Sequence, residues 1–128
     1  MPKTLPRISE AEWEVMEVLW KESPLSAQEV VSQLSLTRDW KDRTIRTMLS
    51  RLVKKGALIY RQENNRFFYR PAIRRGDSVK SASSSFLERI FGGTLQPLIV
   101  QLVKETRLSA DEIAELKQIL NQKQKGKE

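Results

Sequence analysis

The sequence of 128 residues contains no cysteine and no histidine. These absences exclude disulfide bonds, zinc fingers, thiolate metal sites and any nucleophile or base built from Cys or His. No apolar run approaches the ~20 residues that cross a bilayer, and the start of the chain lacks the apolar core of a signal peptide. Since no nucleophile–base pair or glycine-rich phosphate loop appears either, an enzyme is disfavoured. The sequence therefore predicts a cytoplasmic non-enzyme without membrane insertion, metal or cofactor.

Positive charge is concentrated in the middle of the chain. Residues 36–75 hold twelve Lys and Arg against three Asp and Glu, a net charge of +9, whereas residues 1–35 carry −3. The whole chain carries +7, so this one stretch holds more than the entire net charge. Such concentration favours a nucleic-acid partner over a merely solubilising surface.

Helix starts are marked by three Ser-x-x-Glu capping boxes, in which the Ser oxygen and the Glu carboxylate each accept from the other residue's amide. The boxes are Ser9/Glu12 and Ser26/Glu29, which begin helices predicted over 9–21 and 26–35, and Ser109/Glu112 near the end of the chain. The third helix in chain order is predicted over about 42–55, with Asp42 as N-cap and Gly56 just past its end. Its apolar residues recur at the spacing of one buried face.

A β-hairpin is predicted to follow these helices. Residues 58–63 and 66–70 are short and rich in β-branched or aromatic side chains, and Asn64-Asn65 between them tolerates the positive φ of a two-residue turn. Three helices followed by a hairpin make a winged helix-turn-helix, whose third helix enters the major groove of DNA.

The rest of the chain predicts helices over about 78–91, with Asp77 as N-cap, over 95–106 and over 109–123, before a polar tail at 122–128. Three short helices make a poor independent core, so we expect them to pair with a second copy rather than pack onto the N-terminal domain. The predicted dimer interface comprises Phe86, Leu87, Ile90, Phe91, Leu95, Leu98, Ile99, Leu102, Val103, Ile113, Leu116 and Leu120.

The predicted fold class is thus mainly α (α+β). A winged helix-turn-helix with a two-stranded wing spans 1–72, and a helical dimerisation domain spans 73–128. On the predicted third helix, the polar face opposite the apolar one is basic. Its first two turns can reach base edges, which assigns base contacts to Lys41, Arg43, Thr44 and Thr47, with Arg46 as a further candidate. Phosphate contacts are assigned to Arg38, Trp40, Arg51, Lys54 and Arg66.

Four segments resemble the BlaI/MecI family of bacterial winged-helix repressors, the penicillinase repressor group that includes CopY proteins. They are ISEAEWEVMEVLW at 8–20, WKDRTIRTMLSRLVKKGAL at 40–58, FFYRP at 67–71 and LSADEIAELKQIL at 108–120. The resemblance implies a homodimeric repressor of β-lactamase or related genes, connected with antibiotic resistance. It implies binding to double-stranded, palindromic operators with TACA/TGTA-like half-sites, which blocks transcription.

The resemblance also bears on induction. CopY proteins hold metal through C-terminal cysteine pairs, which this chain lacks, so copper sensing is not expected. Members that respond to β-lactams are cleaved at an Asn-Phe bond by a signal-transducing protease, and Gln101-Leu102 stands at that position here. A different class of function is a winged-helix protein-interaction module in a larger assembly, docking through the C-terminal helices. Salt-dependent DNA binding would separate the two.

Overall fold

The computed structural model describes residues 5–126, and its elements follow the predicted order. Within these residues the helices are α1 (Glu10–Lys21), α2 (Ala27–Leu34), α3 (Asp42–Lys55), α4 (Arg75–Phe91), α5 (Leu95–Glu105) and α6 (Ala110–Lys125). The strands are β1 (Leu25–Ser26), β2 (Leu58–Glu63) and β3 (Arg66–Pro71). The predicted fold class, mainly helical with a winged helix-turn-helix, is confirmed.

All three predicted capping boxes are present. In each, the Ser hydroxyl oxygen accepts from the amide of the Glu three residues later, and the Glu carboxylate accepts from the Ser amide. Gly56 closes α3 in the left-handed region at φ +88°, as predicted. The prediction of Asp42 as the N-cap is wrong. Lys41 is the N-cap and makes no side-chain capping bond, while Asp42 is the first helical residue and binds Arg46.

The sheet has one strand more than the predicted two-stranded wing. Strands β2 and β3 form the predicted antiparallel hairpin, whose turn residues Asn64 and Asn65 take φ of 49° and 66°. The two-residue strand β1 pairs with the other edge of β3, where Leu25 lies opposite Tyr69. The hairpin is thereby anchored on the start of α2.

An apolar core lies among α1, α2, α3 and the sheet. Val15, Met16, Leu19, Val30 and Leu34 line the helical side. From α3 and the sheet come Ile45, Leu49, Leu52, Leu58 and Tyr69. Burial of a Val, Leu, Ile or Met side chain stabilises a fold by roughly 1.5–3 kcal/mol. This core therefore fixes the orientation of α3, whose opposite face stays in solvent.

The chain divides into two compact units, Met1–Ser83 and Ser84–Glu128. Helix α4 begins at Arg75 rather than at the predicted residue 78, so Asp77 is inside the helix and is not its N-cap. The start of α4 is tied to α1 by two contacts. The Trp20 indole donates to the Ile73 carbonyl over 3.0 Å, and Arg75 donates to Glu17 over 2.8 Å.

The second unit has no buried side chain within its described residues, 84–126. Its apolar side chains are instead exposed or half-buried along α4, α5 and α6. The final helix continues to Lys125, so the predicted polar tail is helical up to that residue, and 127–128 lie outside the described residues. No helix among the described residues is long and apolar enough to span a bilayer.

Candidate nucleic-acid interface

The outward face of α3 presents most of the residues predicted to contact DNA. Ile45, Met48, Leu49 and Leu52 are buried on the core side of the helix. The exposed side chains on the same helix include Arg43, Thr44, Thr47, Arg51 and Lys54, and Lys41 at the N-cap is exposed as well. Because the apolar contacts hold one face, the other is presented as a fixed basic surface.

A shallow depression runs along this face of α3. Arg43, Arg46 and Thr47 line it together with Asp42 and Ser50. Three predicted contacts are thus brought to one place, and Ser50 is a member that the sequence prediction missed. Its spacing of three residues from Thr47 and seven from Arg43 on a helix was the available signal.

Arg46 is held by neighbouring side chains. Its Nε donates to Asp42 Oδ1 over 3.0 Å, one turn earlier on α3, and its Nη2 donates to Gln28 Oε1 over 3.2 Å. Gln28 belongs to α2 and was not predicted as a site residue. These bonds set the direction of Arg46 toward the start of α2.

Arg38 and Trp40 meet in the connector between α2 and α3. The guanidinium of Arg38 lies 5.5 Å from the centroid of the Trp40 ring, at a cation–π distance. Both arms of the guanidinium also bind the Glu14 carboxylate of α1, with Nε to Oε1 at 2.7 Å. The Glu14 hydrogen bonds raise the pKa of Arg38. Trp40 is half-buried against the core. Both residues predicted to contact phosphate are therefore held in place by contacts within the chain.

Lys54 and Lys55 end α3 in different surroundings. Lys54 is exposed, whereas the Lys55 ammonium donates to the Arg7 carbonyl over 2.8 Å and forms an ion pair with Glu12. Burial alone would raise the pKa of Glu12, but hydrogen bonds from Lys55 and the Ser9 amide outweigh it and hold that pKa below its ordinary value. Lys55 therefore anchors α3 to the N-terminal segment.

The wing places Arg66 at its tip, exposed beside the Asn64-Asn65 turn. Tyr60 and Phe67 stand next to each other across the hairpin, with ring centroids 4.8 Å apart, and both remain exposed. Tyr69 further along β3 is buried in the core. The wing thus combines a basic tip with an exposed aromatic pair.

One face of α3 packs on the core and the other is basic, and a hairpin with an arginine at its tip follows. This arrangement defines the winged helix-turn-helix class of DNA-binding regulators. The sequence profile described as "Penicillinase repressor" matches residues 8–122. The chain therefore belongs to the penicillinase repressor family, which confirms the predicted family. Membership of this family also confirms the prediction of a transcriptional repressor rather than an enzyme.

Similar proteins are known from several bacteria. The penicillinase repressor of Bacillus licheniformis is 45% identical over 120 residues, covering 94% of each chain. The methicillin resistance regulatory protein MecI of Mammaliicoccus sciuri is 37% identical over 116 residues, covering 91% of this chain and 94% of that one. A solution structure of the monomeric form of B. licheniformis BlaI in complex with the blaP half-operator matches with a TM-score of 0.52 and 49% identity, over 59% of this chain and 93% of that one.

Proposed function

We propose that this member of the penicillinase repressor family is a homodimer that binds double-stranded operator DNA and blocks transcription. The observation that carries the proposal is the exposed basic face of α3, supported from behind by the core. The relative BlaI is described in its monomeric form with a half-operator, which supports one winged unit, residues 1–72, reading one half-site. Two joined copies would read a dyad, and genes of the β-lactamase type are the targets that the family name indicates.

Contacts with bases and with the backbone are assigned to different parts of the surface. Base edges are read by Lys41, Arg43, Thr44 and Thr47, which lie in or next to the first two turns of α3. Arg is suited to bidentate bonds with guanine, and the Thr methyl to packing on a thymine methyl. Backbone phosphates are bound by Arg38, Trp40, Arg51, Lys54 and Arg66, which set the register on the duplex.

Dimerisation is assigned to the helices of residues 73–128. Nine of the twelve predicted interface residues are exposed in the single chain, and the other three (Leu87, Phe91 and Leu98) are half-buried. Val100 and Ile119 extend the same exposed apolar set. A unit with no buried side chain among its described residues lacks a core of its own, and a second copy would supply one.

Relief of repression is assigned to cleavage at Gln101-Leu102 by a signal-transducing protease. Both residues are exposed within α5. Cutting there would split the dimerisation surface and remove the gain from tethered binding, which can reach ~10²–10⁴-fold. Incubation with membranes from β-lactam-induced cells, followed by mass spectrometry, should give fragments ending at Gln101. An intact chain in derepressed cells would contradict the assignment.

Operator binding is tested by titrating the full chain with a duplex that carries a TACA half-site and its TGTA dyad, and with a scrambled duplex of equal length. We expect preference for the dyad duplex and an affinity that falls with salt, with a log–log slope of about −0.9 for each phosphate neutralised. Equal binding to both duplexes at every salt concentration would overturn the proposed function.

A further inference from the structure

A cleft lies between the start of α2, the first turns of α3 and the wing. Its volume is about 210 Å³, and the side chains with polar groups that line it are Ser26, Gln28, Arg46, Asn65, Arg66 and Tyr69. A liquid water molecule takes up roughly 30 Å³, so the cleft has room for a phosphate group with its oxygens. It brings side chains from three elements to one point.

The polar lining of the cleft is weighted toward hydrogen-bond donors. Two arginines line it and, among residues 5–126, no carboxylate does. The nearby carboxylates of α2 and α3 are already bound, since Glu29 accepts from the Ser26 amide over 2.8 Å and Asp42 accepts from Arg46. The first turn of α2 adds backbone amides that have no acceptor within the helix. An anion with several oxygens is the ligand that this lining fits.

The hydrogen bond from Arg46 determines which polar atoms of the Gln28 side chain are available to a ligand. Guanidinium groups only donate, so the Gln28 side chain turns its oxygen toward Arg46 Nη2 and leaves its two amide N–H bonds for other partners. Arg46 has five N–H bonds, of which Asp42 and Gln28 engage two. The side chains of Gln28 and Arg46 are therefore held together with hydrogen-bond donors available at the cleft.

Resting on the proposed function, we infer that Gln28, Arg46 and Arg66 together hold one phosphate of the DNA backbone in this cleft. Arg46 is then a backbone contact and not a reader of bases, and Gln28 is a DNA-binding residue. Because the three side chains come from α2, α3 and β3, one phosphate fixes the depth of α3 and the position of the wing at once.

The test uses the full chain and dyad duplexes in which one phosphate at a time is replaced by an uncharged methylphosphonate. For the unsubstituted protein we expect several positions where this replacement lowers affinity, because other residues of the surface also bind phosphates. At the position held in the cleft the loss should be roughly ten- to a hundredfold, as for loss of a hydrogen bond to a charged group. In Gln28→Ala and Arg66→Ala, affinity for the normal duplex should fall by part of that factor. The methylphosphonate effect at that same position should then shrink, because each variant removes some of the donors that hold the phosphate.

Matched controls separate this contact from general loss of charge or polarity. Gln33→Ala removes an exposed amide of α2 outside the cleft, and Arg70→Ala removes an exposed guanidinium of β3 outside it. Both should keep the position-specific effect. Variants at Gln28 and Arg66 that lose affinity without changing this effect would overturn the inference, and so would wild-type affinity in both.

Inorganic phosphate is the other source of the same chemistry. Chloride is replaced by phosphate at equal ionic strength, and the resulting fall in DNA affinity is measured. This fall should be no larger for the unsubstituted protein than for Gln28→Ala. Selective competition that Gln28→Ala abolishes, with every methylphosphonate effect unchanged in that variant, would assign the cleft to a free anion and overturn the inference. Preference for the dyad duplex over the scrambled one would still stand in that case, so failure here is distinct from failure of the proposed function.

Discussion

The basic residues on and near α3 differ in whether they are paired within the chain, although the sequence does not distinguish them. Arg43 and Arg51 are exposed on α3, whereas Arg38 is bound to Glu14 and Lys55 to Glu12. A residue that is already paired within the chain gives up part of that pairing when it binds phosphate, so the gain is smaller. We therefore expect Arg43 and Arg51 to contribute more to DNA affinity than Arg38.

Substitution on α3 should separate base contacts from backbone contacts. Arg51→Ala should weaken binding to every sequence by a similar factor and reduce the salt slope by about 1. Arg43→Ala and Thr44→Ala should instead relax the preference at one half-site position, where a base contact carries ~1–3 kcal/mol of discrimination. Competition assays with singly substituted duplexes measure both. Equal losses on dyad and random DNA for all three variants would refute this division.

The pair of Glu12 and Lys55 should control stability as a function of pH. Glu12→Gln retains the capping box, which accepts Gln in this position, but loses the charge that faces Lys55. We expect it to lower the free energy of unfolding by about 1–3 kcal/mol at pH 7. Because the folded pKa of Glu12 lies below its ordinary value, this stability is present at neutral pH and is lost as the pH falls through the folded pKa.

Urea unfolding of both proteins between pH 7 and pH 3 measures the effect. The difference between them should shrink below roughly pH 4. Glu10→Gln, an exposed carboxylate in the same turn of α1, is the control and should change the unfolding free energy little. A difference that stays constant over the whole pH range would show that Glu12 acts through packing and not through its charge.

At the scale of elements, the end of α3 depends on the backbone conformation of Gly56. Its φ is +88°, and apart from Gly56 itself and its two chain neighbours no heavy atom of residues 5–126 would lie within 4 Å of an added Cβ. Gly56→Ala should therefore cost about 1–2 kcal/mol through conformation alone. Gly76→Ala is the matched control, since Gly76 lies in α4 with equally open surroundings and no positive φ. It should stabilise the chain by about 0.5–1 kcal/mol, and destabilisation of the same size in both variants would contradict this.

The sequence predicts the elements whose signals are local. Capping boxes, the Gly56 end and the Asn64-Asn65 turn each depend on residues close in the chain, and all are present. Strand β1 was missed because two residues carry no periodicity, and it forms only by pairing with β3. The start of α4 was placed too late because Trp20 and Glu17, more than fifty residues away, hold that segment.

The sequence predicts which face of α3 is exposed but only part of the arrangement of side chains around it. The apolar spacing of α3 decides which face is exposed, so Arg43, Thr47 and Arg51 could be assigned from the sequence. Contacts between helices could not, because Gln28 lies eighteen residues from Arg46 and Glu14 lies twenty-four from Arg38. Such pairs depend on the packing of α1, α2 and α3 against one another.

For the whole molecule, the property to test is the proposed joining of two copies. Leu98→Asp or Ile99→Asp should place a charge in the proposed apolar interface and give monomers in analytical sedimentation. Gln96→Asp, an exposed substitution in the first turn of α5, should leave the dimer intact. Sedimentation of Leu98→Asp and Ile99→Asp at the mass of a dimer would contradict the interface assignment.

Loss of the dimer should also lower the affinity for the full dyad far more than the affinity for a single half-site. The reason is that the second winged unit is no longer delivered at high local concentration. Comparing the two duplex types for Ile99→Asp therefore measures the tethering gain directly. A parallel loss on both duplexes would instead indicate damage to the winged unit.

The positions of the tryptophans determine what optical methods can observe. All three, Trp13, Trp20 and Trp40, belong to the first compact unit, and residues 84–128 contain none. Tryptophan fluorescence is therefore a signal from the first compact unit alone, and melting confined to α5 and α6 should leave it unchanged. Since Trp40 borders the surface assigned to DNA, its emission can follow the arrival of a duplex without any attached dye, while circular dichroism follows the helices beyond it.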